Sequence, residues 1–122
     1  MEIKLFDSEL KVMEVLWDRG DTSAKTLAAI LGKTVGWSKT TTYTVIKKCL
    51  DKGALLREEP NFICRAAVTR EQTRQFETAE LVNRLFGGRE DQLIASLLGN
   101  NALTPEDIDK LRQIVQEMGN TT

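Results

Sequence analysis

Three stretches near the start of the chain each open on a capping residue and close on a glycine: Asp7-Ser8 to Gly20, Ser23 to Gly32, and Ser38 to Gly53. Short oxygen-bearing side chains satisfy the free N–H groups of a helix start, and glycine takes the left-handed conformation that ends one. The spacing predicts a first helix over Ser8–Arg19, with Leu10, Met13, Leu16 and Trp17 at helical intervals. A second helix turns Leu27, Ile30 and Leu31 inward before Gly32. "KTVGW" reads as a loop, and Ser38 caps a third helix that stops at Gly53. Beyond it, "ALLREE" and "FICRAAV" are β-prone runs separated by Pro60-Asn61, two turn formers, and they read as a hairpin. Three short helices followed by a hairpin have the order of a winged helix-turn-helix, assigned to residues 1–69.

The second half reads as helical throughout, which makes the chain mainly α with a small β-hairpin. Thr69 and Gln72 form a capping-box pattern ahead of a helix carrying Phe76, Ala79, Val82, Leu85 and Phe86 on one side, ended by Gly87-Gly88. A shorter helix holds Leu93, Ile94, Leu97 and Leu98. Thr104-Pro105 starts a third, with Ile108, Leu111, Val115 and Met118 at alternating steps of three and four. Three such helices have more apolar surface than they can bury alone. Residues 70–122 are therefore expected to form a helical dimerisation domain through Phe76, Val82, Leu85, Phe86, Leu93, Leu97, Ile108, Leu111, Val115 and Met118.

Composition removes much chemistry. The chain has no histidine and two cysteines, Cys49 and Cys64, so Ser-His-Asp and Cys-His catalysis are excluded and a Cys/His zinc site lacks ligands. The cysteines read as small buried hydrophobes in a reducing compartment rather than as a disulfide. No enzyme activity, metal, cofactor or small-molecule substrate is expected. No apolar run approaches the roughly 20 residues that span a bilayer, and "MEIKLFDSEL" lacks the pattern of a signal peptide, so a cytoplasmic location is expected.

Net charge is −1, yet its distribution is uneven. Within residues 32–52, Lys33, Lys39, Lys47, Lys48 and Lys52 face only Asp51. On a helical wheel of the third helix, Thr42, Val45, Ile46 and Cys49 share one side. Thr40, Tyr43, Thr44 and Lys47 lie opposite, with Thr41 and Lys48 along one edge and Lys39 along the other. Four threonines within residues 40–44 are a poor choice for helix propensity. Hydroxyls and Thr methyls suit phosphate oxygens and base edges, and lysines neutralise phosphates. Trp37, Ser38, Lys39, Thr40, Thr41, Tyr43, Thr44, Lys47 and Lys48 are thus the candidate contacts to double-stranded DNA in a major groove, with Ser38 and the free N–H groups behind it as a phosphate seat.

The segments "LFDSELKVMEVLW", "GWSKTTTYTVIKKCLDKGAL", "FICRAAV" and "LTPEDIDKLRQIVQE" resemble, in order and spacing, the penicillinase-repressor (BlaI/MecI/CopY) family of bacterial transcriptional regulators. The resemblance implies a homodimeric repressor on palindromic operators with half-sites like TACA/TGTA. The third helix would supply specific contacts through Lys39, Thr40, Thr41, Tyr43, Thr44 and Lys47, with Trp37 and Ser38 at its entrance, and the hairpin would touch the DNA backbone. In several members a membrane sensor-protease responding to β-lactams triggers cleavage of an Asn-Phe bond in the C-terminal helices. That bond aligns with Ser96-Leu97 here, which keeps the apolar half and not the Asn. The paired Cys-x-Cys motifs of copper-responsive members are missing, since no cysteine follows Cys64, and Glu58 and Glu59 stand near the hairpin tip where a basic residue would help.

The rival reading is a winged-helix module for protein–protein assembly without sequence-specific DNA binding. Affinity that falls with salt separates a phosphate-neutralising protein from such a module.

Overall fold

The computed structural model describes residues 3–99 and 104–120, without the side chains at positions 111, 114, 115 and 117–120. The elements are α1 (Asp7–Arg19), β1 (Thr22–Ser23), α2 (Ala24–Thr34), α3 (Lys39–Lys52), β2 (Leu55–Glu58), β3 (Ile63–Ala66), α4 (Arg70–Phe86), α5 (Glu90–Gly99) and α6 (Pro105–Asn120). They form two compact units, Met1–Glu77 and Thr78–Thr122. The mainly helical class and the winged helix-turn-helix order are as the sequence predicts.

Three local details differ. Helix α1 begins at Asp7 rather than being capped by Asp7 or Ser8, because Glu9 reaches back to accept the Phe6 N–H at 2.8 Å. Its buried face is Glu9, Val12, Met13 and Leu16, while Leu10 and Trp17 are only half-buried. Helix α2 passes through Gly32 to Thr34, so "KTVGW" is only partly loop. The reversal falls instead at Gly36, whose φ of 79° suits a residue without Cβ.

The hairpin gains a third strand. The sheet is antiparallel in the order β1-β3-β2, with Thr22 opposite Cys64, Ser23 opposite Ile63, and Arg57 opposite Cys64. Ser23 holds the two structures together: it pairs in the sheet, and its hydroxyl accepts the Thr26 N–H at 3.1 Å to cap α2.

The core of the first unit is Leu5, Val12, Met13, Leu16, Ala24, Leu27, Leu31, Val45, Ile46, Cys49, Ala54, Leu55, Cys64 and Val68. The face of α3 expected to be internal is the buried one: Thr42, Val45, Ile46 and Cys49. Burying side chains such as Leu27 and Ile46 contributes about 1.5–3 kcal/mol each, which fixes how α3 turns its other face outward. At the end of this unit the Trp17 indole N–H donates to the Val68 carbonyl at 2.9 Å, and Arg70 pairs with Asp18 at 2.5 Å.

The described residues of the second unit are thinly packed. Among these described residues, Val82 is the one fully buried hydrophobic side chain. Helix α5 buries nothing fully, with Leu93 and Leu97 half-buried and Leu98 exposed. Phe86 and Ile108 are half-buried, and Leu85 is 61% exposed. The side chains of Leu111, Val115 and Met118 lie outside the described residues. Both predicted caps form: Thr69 exchanges hydrogen bonds with Gln72, and Thr104 with Asp107.

Candidate nucleic-acid interface

The entrance to α3 is built by hydrogen bonds that the sequence announces. Ser38 Oγ accepts the Thr41 N–H at 3.1 Å and donates to Thr41 Oγ1 at 2.9 Å. Thr42 makes the first helical bond, to Ser38 O at 3.1 Å, and its hydroxyl donates to the same carbonyl. The N–H groups of Lys39 and Thr40 are left with no helical partner, as the first turn of a helix requires. The Ser38 hydroxyl is occupied by capping. The backbone N–H groups of the first turn are the donors left over at this helix start.

Along α3, Lys39, Thr40, Thr41, Thr44, Lys47 and Lys48 are exposed, as is Ser38, while Trp37 and Tyr43 are half-buried. Lys39, Thr40, Tyr43, Thr44 and Lys47 line one open concavity of about 590 Å³. Trp37, Ser38, Thr41 and Lys48 stand outside it. Thr44 donates its hydroxyl hydrogen to the Thr40 carbonyl at 2.9 Å, which leaves its oxygen lone pairs and methyl facing out. The surface presents two ammonium groups, two threonines and a phenol.

Lys52 belongs elsewhere. Its ammonium lies 2.6 Å from Glu9 Oε1 and also donates to the Lys4 carbonyl at 2.8 Å. The positive stretch read from residues 32–52 therefore loses one charge to the core. Across the sheet, both hairpin arginines are paired as well: Arg57 with Glu59, and Arg65 with Glu58 at 2.9 Å and Asp21 at 3.1 Å.

The sequence pattern of the penicillinase repressor family matches residues 5–117. This chain belongs to the penicillinase repressor family. It is 27% identical over 119 residues to a penicillinase repressor of Bacillus licheniformis, covering 96% of this chain and 93% of the relative. It is 22% identical over 116 residues to the methicillin resistance regulatory protein MecI of Staphylococcus aureus (strain N315), covering 93% and 94%. Among solved structures it is similar to the DNA-binding domain of the repressor BlaI, with a TM-score of 0.53 and 27% identity, covering 57% of this chain and 90% of that domain.

Within this member of the penicillinase repressor family, the thiols are packing groups. Cys49 and Cys64 are free and buried. Burial, and secondarily the Glu9 carboxylate, pushes the Cys49 thiol up to about 12, and burial pushes Cys64 up to about 11. Such thiols are poor nucleophiles and poor metal ligands. Among the described residues, no group of three acidic or cysteine side chains could hold a metal ion, and no helix is long and apolar enough to cross a membrane.

Two residues that contact α3 go unmarked in the sequence pattern. Glu9 was hidden because a carboxylate in a first helical turn is ordinarily solvated. In the sequence Phe62 is only part of a β-prone run, yet its ring meets Tyr43 edge-on, centroids 6.0 Å apart. A lone aromatic directly after the turn pair Pro60-Asn61 was the available signal.

Proposed function

We propose that the chain is a cytoplasmic, homodimeric transcriptional repressor that holds palindromic operator DNA through residues 1–69 and dimerises through residues 70–122. The observation that carries the reading is the outward face of α3, where Lys39, Thr40, Tyr43, Thr44 and Lys47 line one concavity while the opposite face is locked in the core. Lysines at its rim neutralise phosphates, and the threonines and the phenol offer hydrogen bonds and methyl contacts to base edges. Trp37, Ser38, Thr41 and Lys48 act at the margin, towards the backbone.

A second copy of the chain is the partner that the apolar side chains of the C-terminal unit call for. Two-fold pairing matches two half-sites whose centres lie about one helical turn, roughly 34 Å, apart. Release is by cutting rather than by a small molecule, with a membrane sensor-protease as the outside agent and the Ser96-Leu97 bond as the position cut. Ser96 is exposed and Leu97 half-buried, on a helix with no fully buried residue. A cut there detaches α6 and removes the effective-concentration gain of two tethered half-site contacts.

The test is an engineered protease site at positions 96–97 in the full chain. Cleavage is expected to convert a dimer into monomers in sedimentation and to weaken operator binding, while the circular dichroism of the winged helix persists. A cleaved protein that stays dimeric and keeps its affinity rules out this route of release.

A further inference from the structure

The hairpin tip reaches α3 through the ring of Phe62. Phe62 follows Asn61, and both hold positive φ, 73° at Asn61 and 49° at Phe62. Side chains other than glycine rarely adopt that conformation, so surrounding contacts must hold it. Three do. The Phe62 carbonyl accepts the Ala24 N–H at 2.9 Å, which ties the tip to the start of α2. The Arg57 guanidinium lies over one side of the ring, 3.8 Å from its centroid. The Tyr43 ring meets it at an interplanar angle of 82°, the edge-to-face arrangement that aromatic quadrupoles favour. Tyr43 has Lys39 near its own ring, the ammonium 6.0 Å from the centroid.

We propose that Phe62 is a positioning residue for Tyr43, so that the hairpin acts on DNA recognition by fixing a side chain of α3. The inference rests on α3 being the DNA-contacting helix. A half-buried tyrosine on an open surface would otherwise sample several rotamers, and one that reads a base edge must be held in a single orientation before the DNA arrives. Phe62 blocks the alternatives on the hairpin side. Arg57 serves this arrangement as well: its guanidinium is engaged by the Phe62 ring and the Glu59 carboxylate. The hairpin thereby contributes to sequence discrimination more than to phosphate attraction.

The experiment uses the full chain, the inverted-repeat duplex that it enriches from a randomised pool, and a scrambled duplex of equal length. Phe62→Leu and Phe62→Ala are expected to lower the ratio of the two affinities on the order of tenfold, leaving scrambled-duplex affinity and the salt slope unchanged. Phe62→Tyr restores the ratio. The Tyr43→Ala/Phe62→Ala double variant binds no more weakly than Tyr43→Ala alone. Tyr43 is the chain's one tyrosine, so its ring proton resonances give a direct second readout, and Phe62→Leu should shift them towards free-tyrosine positions. If Tyr43→Ala loses discrimination and Phe62→Leu does not, the positioning role is overturned while the α3 reading stands. Additive losses in the double variant also overturn it, because Phe62 would then act independently of Tyr43. If no sequence is enriched, or Tyr43→Ala changes nothing, the reading of Tyr43 falls and the inference falls with it.

Discussion

The Lys52 ammonium, in the last turn of α3, lies 2.6 Å from the carboxylate of Glu9, a residue of α1 that is only 1% exposed. Glu9 also holds the Phe6 N–H, and Lys52 lies over the Phe6 ring at 4.3 Å. One pair thus serves the cap of α1 and ties it to the last turn of α3. A buried carboxylate that loses its cation is strongly destabilising, whereas replacing both partners by apolar groups of similar volume is often neutral.

Lys52→Met should therefore cost about 3 kcal/mol, the low end of the range for a broken buried pair because the Lys52 side chain is 30% exposed. The Glu9→Met/Lys52→Met double variant should recover part of that loss. Urea denaturation of the full chain measures both. A loss within about 0.5 kcal/mol for the single variant would place the pair with ordinary surface contacts.

On α3, affinity and specificity should separate by residue type. Lys47→Ala is expected to weaken binding to operator and to random DNA alike and to lower the salt slope by about one. Thr44→Ala should cost about 1–3 kcal/mol mainly on the operator. Its stability should change little, since the hydroxyl bond to Thr40 is exposed. Competition binding at several salt concentrations distinguishes them, and equal losses on both DNAs for both variants would contradict the division of roles.

The hairpin carries its own neutralising carboxylates. Glu58→Gln combined with Glu59→Gln should free Arg65 and Arg57 from two of their partners, and so raise affinity for random DNA and steepen the salt slope. An unchanged slope would mean that neither arginine reaches a phosphate.

Much of α3 was legible because its signals are local. Ser38 caps it, Gly53 ends it in the left-handed region, and the Thr42, Val45, Ile46 and Cys49 repeat assigns its inner face, all within one stretch of chain. What could not be read was pairing at a distance. Strand β1 is two residues long and exists because β3 lies beside it, so Thr22 and Ser23 look like a cap alone. Leu10, Met13, Leu16 and Trp17 of α1 do meet the core, but that Glu9 joins them is not legible, because the Lys52 partner that lets it turn inward is 43 residues away. Phe62 reaches Tyr43 only once the hairpin has folded back over α3.

Alkaline pH should expose the buried thiol. Folding raises the Cys49 pKa from an ordinary 9.0 to about 12, so above pH 9 the unfolded chain loses a proton that the folded chain keeps. The folded state then binds more protons, and its stability falls as pH rises, by about 1.4 kcal/mol per unit for this one group between those values. Cys49→Ala is expected to be less stable at neutral pH yet flatter above pH 9. Equal alkaline slopes for the two proteins would remove the thiol from the explanation.

Whether the outward face of α3 reads an inverted repeat as part of a dimer is decided by selecting duplexes from a randomised pool with the full chain. The full chain should enrich a palindrome with half-site centres about one helical turn apart. The enriched duplex should bind as one dimer and lose affinity as salt rises. A pool that yields no inverted repeat, or binding indifferent to salt, would rule out that role and return the chain to the class of protein–protein assembly modules.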